Sequence, residues 1–176
     1  MLSQKEQKNP QVIHILSDIY DSDKVNFVKS ISNMIINSGF GNTVILPKSV
    51  LAGSLKRSGS EIIPLQADAK NKKSLLAEIK SVMPSSNDPK VRILIHNHEF
   101  ELSKEIQAIC KKNKFYQCNT FFSKPEKETF SRRILGKSKF LYNEINISTI
   151  SNELRGYFLQ NYSPLIENIS VVPQEL

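Results

Sequence analysis

The sequence lacks a long apolar run, a hydrophobic leader and any internal repeat. No stretch approaches the roughly 20 apolar residues that a helix needs to cross a bilayer, so no membrane-spanning segment is predicted. The first ten residues are polar and lack the hydrophobic core of a secretory signal. These absences favour a protein that stays in the cytoplasm.

Cysteine is scarce, and the two examples are Cys110 and Cys118. We interpret them as free thiols of a reduced cytosolic protein. Free cysteine is among the most buried residue types, which favours a place in the core over a role as nucleophile. Their spacing does not fit a zinc-binding thiol pair, and no second pair accompanies them. We therefore expect no metal site.

Glycine is missing from the loop at 17–23, which follows the first predicted strand. A dinucleotide fingerprint and a P-loop both require glycines at that position. No serine or cysteine lies in a nucleophile-elbow sequence either. The sequence thus argues against an NAD enzyme and an NTPase, and we expect no bound cofactor.

The composition is that of one ordinary globular domain. The chain has 176 residues, of which 39% are hydrophobic and 23% are charged. That length supports one sizeable core and is too short for two full domains. We assign residues 1–10 to a flexible N-terminal segment and residues 11–176 to a single domain.

Hydrophobic periodicity predicts strands that alternate with helices. Strands are predicted at 12–16, 43–46, 61–65, 91–95, 115–119, 147–151 and 168–173. Helices are predicted at 23–38, 49–57, 75–83, 102–110 and 152–162, with a further short one at 129–135 in an irregular stretch. This alternation favours an α/β, Rossmann-like, doubly wound domain, with a mainly parallel sheet and helices on both faces.

The most polar strand end is His96-Asn-His98-Glu99. His96 and His98 lie two residues apart, so they share a face of an extended chain. They could bind a sugar or phosphate, or act as acid and base. The alternative is that these residues cap the strand and the following helix, where Glu99 is favoured. His14 lies inside the first strand, and we interpret it as an internal histidine.

The positive charge is regional. Ten basic and three acidic residues fall between Lys104 and Lys139, which accounts for the whole net charge of +7. Aromatic and aliphatic residues interleave with the basic ones after the fifth strand. This pattern suits an anionic membrane surface, a nucleic-acid backbone, or a solvated helix face. The basic surface predicted there consists of Lys124, Lys127, Arg132, Arg133, Lys137 and Lys139.

Several motifs occur along the chain in a fixed order. They are a helix at 25–36 followed by Ser38-Gly39 and a strand at 43–47, Ser58-Gly59 with Ile62-Ile-Pro-Leu65, Ile93-Leu-Ile-His-Asn-His98-Glu99, 147–151 with Asn152-Glu-Leu-Arg155, and Ile169-Ser-Val-Val-Pro173. In this order they resemble the N-terminal domain of the GT-B fold glycosyltransferases of family 4, a retaining group that builds surface polysaccharides and glycolipids in bacteria. The resemblance implies that the chain ends at an interdomain linker.

The chain departs from the family pattern at three points. Asp21-Ser22-Asp23 stands where members usually carry a Gly-Gly pair that approaches the donor phosphates. Thr120-Phe-Phe122 stands where many members carry a threonine-x-histidine. Pro173-Gln-Glu-Leu176 replaces a proline-asparagine-glycine, and the donor-binding domain is not in this sequence.

The resemblance implies an acceptor-side domain that moves a sugar from a nucleotide sugar to a polysaccharide or glycolipid acceptor, inactive as this chain alone. The implied substrate-binding residues are Asp21, Ser22, Asp23, His96, His98, Glu99, Thr120 and Phe122. A C-terminal donor domain, in the same chain or in a partner, is an implied requirement, and peripheral contact with an anionic membrane is an expectation. The alternative is a non-catalytic binding or partner module with a glycosyltransferase-like fold. Nucleic-acid binding is not expected, because no recognition motif accompanies the basic stretch.

Overall fold

Short apolar segments of the chain pair in parallel to build one sheet. The computed structural model describes residues 10–17, 22–48, 52–68, 71–84, 92–124, 146–161 and 169–172. The strands are β1 (Gln11–Ile15), β2 (Gly41–Pro47), β3 (Glu61–Leu65), β4 (Ile93–Asn97), β5 (Tyr116–Phe121), β6 (Asn146–Thr149) and β7 (Ile169–Val171). The helices are α1 (Ser22–Asn37), α2 (Ala52–Arg57), α3 (Lys72–Val82), α4 (Ser103–Asn113) and α5 (Asn152–Asn161), with a 3₁₀ turn at Phe100–Leu102.

The described strands form a seven-stranded sheet in the order β3-β2-β1-β4-β5-β6-β7. Every neighbouring pair is parallel. The direction of winding reverses between β1 and β4, which is the switch point where sheets of this kind bind ligands. The predicted fold class, a doubly wound parallel sheet, is confirmed.

Side chains along β1 and the residue after it point alternately to the two faces of the sheet, so the core has two layers. Ile13 and Ile15 pack on one face with residues of α3 and α4, whereas Leu16 packs on the other with Phe27 of α1 and Leu55 of α2. Successive strand residues point to opposite faces, so an apolar run without alternation has both faces covered. Helices therefore lie on both faces of the sheet, as predicted.

The fourth strand lies two residues further along the chain than its apolar run predicts. Its register with β1 runs from Gln11 opposite Ile93 to Ile15 opposite Asn97. Two polar residues at its end are therefore part of the ladder, because β1 and β5 satisfy their backbone groups on both sides. The helix predicted at 129–135 and the N-terminal segment 1–9 lie outside the described residues.

Helix α4 ends with a lysine in the left-handed conformation. Lys114 has φ of 58° and ψ of 36°, and its neighbour Phe115 donates a backbone hydrogen bond to the carbonyl of Cys110. A side chain with a Cβ is strained in this region, whereas glycine is not.

We expect Lys114→Gly to raise the free energy of unfolding by about 0.5–1 kcal/mol. Urea unfolding followed by circular dichroism would measure the change. Lys112→Gly, two residues earlier in the last turn of α4, is the matched control and should destabilise by about 1 kcal/mol. Destabilisation by both variants would contradict the argument.

Among the described helices, none combines the length and the apolar character that a membrane span requires.

Candidate functional site

The carboxyl ends of β1, β4 and β5 meet at the switch point. His14 of β1 is in register with His96 of β4, and His96 is in register with Cys118 of β5. Registered residues of parallel strands share a face, so the three histidines of the chain converge on the face covered by α1. The prediction that His96 and His98 share a face is confirmed, with their ring centroids 4.1 Å apart.

The three imidazoles form a buried cluster. His14, His96 and His98 are 0%, 8% and 2% exposed. His14 Nδ1 lies 3.1 Å from His98 Nε2, and His96 Nε2 lies 2.8 Å from the hydroxyl of Thr120. One nitrogen from each ring lies within 4.8 Å of the other two, which is a spacing that could hold a metal ion. The interpretation of His14 as an internal histidine is confirmed.

Aromatic rings close the cluster on the side of α1. Phe27 presents its ring edge-on to His96 and His98, with centroids 6.4 and 6.0 Å away. Phe122 packs against Phe27 at 5.2 Å and against His98 at 6.1 Å. The histidines therefore lie in a largely apolar environment.

That environment keeps the imidazoles neutral. Burial lowers the pKa of His14 from 6.5 to about 4, an effect that the nearby Asn42 side chain partly opposes. Burial is also the main reason that the pKa of His96 and that of His98 lie well below the usual range. The neighbouring imidazoles lower both pKa values further, and the charge of Lys24 adds to the effect on His98. Rings with so low a pKa are weak bases, which suits metal ligation or neutral hydrogen bonding better than proton transfer near pH 7.

Glu99 holds both ends of the connection from β1 to α1. Its carboxylate accepts a hydrogen bond of 2.8 Å from the backbone N–H of Ser17 and lies 3.2 Å from the ammonium of Lys24. The side chains of Lys24 and Glu99 are 9% and 11% exposed. Glu99 precedes the 3₁₀ turn, but its side chain makes no capping hydrogen bond to it. The carboxylate binds Ser17 and Lys24 instead.

Asn97 orders the turn after β4. Its amide nitrogen lies within 3.0 Å of the carbonyl of Glu99, the hydroxyl of Ser103 and the side-chain oxygen of Asn119, which share its two N–H groups. Its own oxygen accepts the backbone N–H of Glu99. The network fixes the backbone that carries His98 and Glu99.

The structure gathers five of the predicted substrate-binding residues: His96, His98, Glu99, Thr120 and Phe122. Thr120 is buried and Phe122 is half-buried. Ser22 and Asp23 are exposed at the start of α1. Asp21 lies outside the described residues.

Lys124 is the described member of the predicted basic surface. It is exposed and binds Glu153 of α5 at 2.9 Å, and its ammonium lies 5.4 Å from the ring centroid of Tyr157. The ion pair with Glu153 raises the pKa of Lys124 and lowers that of Glu153. Lys127, Arg132, Arg133, Lys137 and Lys139 lie outside the described residues.

Three residues of this site were missed by the sequence reasoning: His14 as a cluster member, Lys24 and Asn97. Each depends on a partner at least 20 residues away or on register between strands. A lysine at the third position of a helix carries no sequence signal of burial. A histidine flanked by isoleucines was the one visible hint, because a polar ring in such a strand must find a partner.

The two thiols take no part in the site. Both are free cysteines; Cys110 is buried and Cys118 is half-buried. Burial raises the pKa of each thiol to about 12. A thiol of such high pKa is a poor nucleophile, which agrees with their interpretation as core residues.

A separate cavity of about 590 Å³ opens at the opposite edge of the sheet. Its lining includes Gln11, Ile93 and Tyr116, which begin β1, β4 and β5. Ligands of parallel α/β sheets bind at the carboxyl ends of strands. The histidine cluster and this cavity therefore lie at opposite ends of the strands.

Comparison with known proteins supports the fold. No family model and no curated protein matches the chain. A solved structure, a glycosyltransferase from Rickettsia africae ESF-5, is similar with a TM-score of 0.73 and 12% sequence identity. The similarity covers 94% of this chain and 43% of that chain, so this chain spans less than half the length of its neighbour. The chain has a glycosyltransferase-like fold.

Proposed function

We propose that this chain is the N-terminal, acceptor-side domain of a retaining GT-B glycosyltransferase of family 4. The observation that supports it most is the fold, because a protein described as a glycosyltransferase shares it over 94% of this chain. The order of motifs along the sequence supports the finer assignment to family 4. The donor would be a nucleotide sugar and the acceptor a polysaccharide or glycolipid.

In this proposal the cleft between two domains lies above the carboxyl ends of β1, β4 and β5. Ser22 and Asp23, which begin α1, would line it, together with Asp21, which precedes them in the sequence. The buried carboxylate of Glu99 would lie below the cleft, where it binds Ser17 just after β1 and Lys24 in α1. In this role Glu99 would hold Ser17 and Lys24 in place and would not touch the substrate.

We expect the purified chain alone to release no nucleotide from UDP-glucose, UDP-N-acetylglucosamine or GDP-mannose in the presence of acceptor glycans. The reason is that the donor site would lie on a second domain. A coupled assay for UDP and GDP would measure the release. The native polypeptide, sized by immunoblot in its source cell, should be about twice the 20.0 kDa of this chain and active in the same assay.

Sugar transfer by the 176 residues alone would refute the proposal that the donor site lies on a second domain. A native product of 20.0 kDa without a co-purifying donor domain would favour the second candidate. That candidate is a non-catalytic partner module, supported by the missing glycines after β1 and by Phe122 in place of a histidine.

Peripheral membrane contact belongs to the same proposal. Lys124 is engaged with Glu153, so contact would depend on the basic residues further along the chain. Sedimentation with vesicles of phosphatidylcholine, with and without phosphatidylglycerol, tests it. Binding that does not depend on the anionic lipid would refute the proposed membrane contact and leave the enzymatic proposal unchanged.

A further inference from the structure

We propose that His14, His96 and His98 form a binding site for a late divalent transition metal ion such as Zn²⁺. The sequence reasoning predicted no metal site, because it considered paired thiols, whereas these ligands meet only when β1 and β4 pair. The inference does not depend on the glycosyltransferase assignment. It rests on the spacing of the rings, on their burial and on the groups that surround them.

The spacing is close to that of a metal centre. His14 Nδ1 and His98 Nε2 are 3.1 Å apart, and two nitrogens on a tetrahedral zinc ion at 2.0–2.1 Å are separated by about 3.3 Å. One nitrogen from each of the three rings lies within 4.8 Å of the others. Bringing three nitrogens to about 3.3 Å from one another requires ring movements on the order of 1 Å.

Neighbouring polar groups favour one tautomer in two of the three rings. The side chain of Asn42 lies beside His14 and donates one of its N–H groups to Ser60, and its oxygen can accept a hydrogen bond from His14. That oxygen and His14 Nε2 are both buried without a hydrogen bond of ordinary geometry. A proton on His14 Nε2 would pair with this oxygen and leave the Nδ1 lone pair directed at the centre.

Thr120 plays the same part for His96. Its hydroxyl lies 2.8 Å from His96 Nε2. If His96 donates to this hydroxyl, the lone pair of Nδ1 is available to a metal ion. Metal-bound histidines usually donate their second N–H to such a partner, which holds the ring in place. Two of the three rings thus have a supporting polar group at the correct nitrogen.

The donor set indicates the class of metal. Imidazole suits Zn²⁺, Ni²⁺ and Cu²⁺, whereas Mg²⁺ and Ca²⁺ prefer oxygen ligands. Within the part of the chain that the structure describes, the candidate group consists of these three histidines. The carboxylate nearest in sequence, Glu99, binds Lys24 and Ser17 instead. The fourth position would be taken by a water molecule or a small anion.

The test is metal binding by the whole chain. The protein, stripped with a chelator, partly unfolded in mild urea and refolded with Co²⁺ or Zn²⁺, should retain about one ion per chain after desalting. The Co²⁺ form should show the visible absorption of a tetrahedral site, and Mg²⁺ should not be retained. Since the chain has three histidines in all, X-ray absorption that reports three imidazoles can come from this cluster alone.

Matched variants separate this site from other ligands. His98→Gln should weaken Co²⁺ binding by about 100-fold or more, and Thr120→Val by about 10-fold or more. The control Cys110→Ala/Cys118→Ser removes both thiols and should bind normally. Retention of less than about 0.1 ion per wild-type chain, or undiminished binding after His98→Gln, would overturn the proposal. If His98→Gln does not fold, the imidazole count of the wild-type Co²⁺ form decides.

Discussion

The metal-free protein should lose up to about 4 kcal/mol of stability between about pH 7 and pH 5.5. The three histidines have pKa values below 6.5 in the folded state, mainly because burial disfavours the charged ring. Below pH 6.5 the unfolded chain takes up protons that the folded protein excludes. The contribution of the neutral histidines to the free energy of unfolding is therefore fully present above about pH 6.5. It is lost as the pH drops toward 4, where His14 would ionise.

Urea unfolding in a chelating buffer, repeated across this range, measures the slope. Three groups give at most about 4 kcal/mol per pH unit, and His14→Gln should reduce it by about one third. Few other groups titrate in this window, because Asp and Glu ionise near pH 4 and lysine far above it. A slope below about 1 kcal/mol per pH unit would show that the rings are hydrated in the folded state.

Replacing Lys24 with methionine should destabilise the protein by about 3 kcal/mol or more. Methionine retains most of the apolar stem, so the change removes chiefly the charge. Glu99 would then remain as a buried carboxylate that keeps its hydrogen bond from the backbone N–H of Ser17 but loses the ammonium of Lys24. Leaving one member of a buried ion pair without its partner is among the costliest single changes.

Lys29→Met is the matched control, because Lys29 is exposed on the same helix. We expect it to change the free energy of unfolding by less than about 0.5 kcal/mol. The double variant Lys24→Met/Glu99→Gln should be more stable than the sum of the single changes predicts, since it leaves neither charge unpaired. Equal effects of Lys24→Met and Lys29→Met would mean that the ion pair contributes little.

The architecture was predictable because it is encoded locally. Apolar runs of strand length and helices of regular spacing follow each other along the chain, and the parallel order of the sheet follows from that alternation. The end of β4 was misplaced because His96 and Asn97 are polar. Hydropathy assigns such residues to a loop, whereas pairing with β1 and β5 keeps them in the sheet.

The site was predictable only in part, for a physical reason. His96, His98 and Glu99 could be proposed from their place after an apolar strand. Their partners could not, because His14 and Lys24 become neighbours only through strand register and helix packing. Burial of a charged lysine depends on a carboxylate 75 residues away, and spacing within one segment carries no information about it.

The position of β1 between β2 and β4 has a consequence for synthesis on the ribosome. The first strand is made early, but one of its edges stays open until residues 93–97 have emerged. His14 and Glu99 obtain their partners only then, since the bond from His14 to His98 spans 84 residues and that from Ser17 to Glu99 spans 82. A nascent chain that stalls before residue 93 would expose an apolar strand edge, which is a template for aggregation. Chaperone dependence should therefore be greatest while residues 93–97 have not yet emerged.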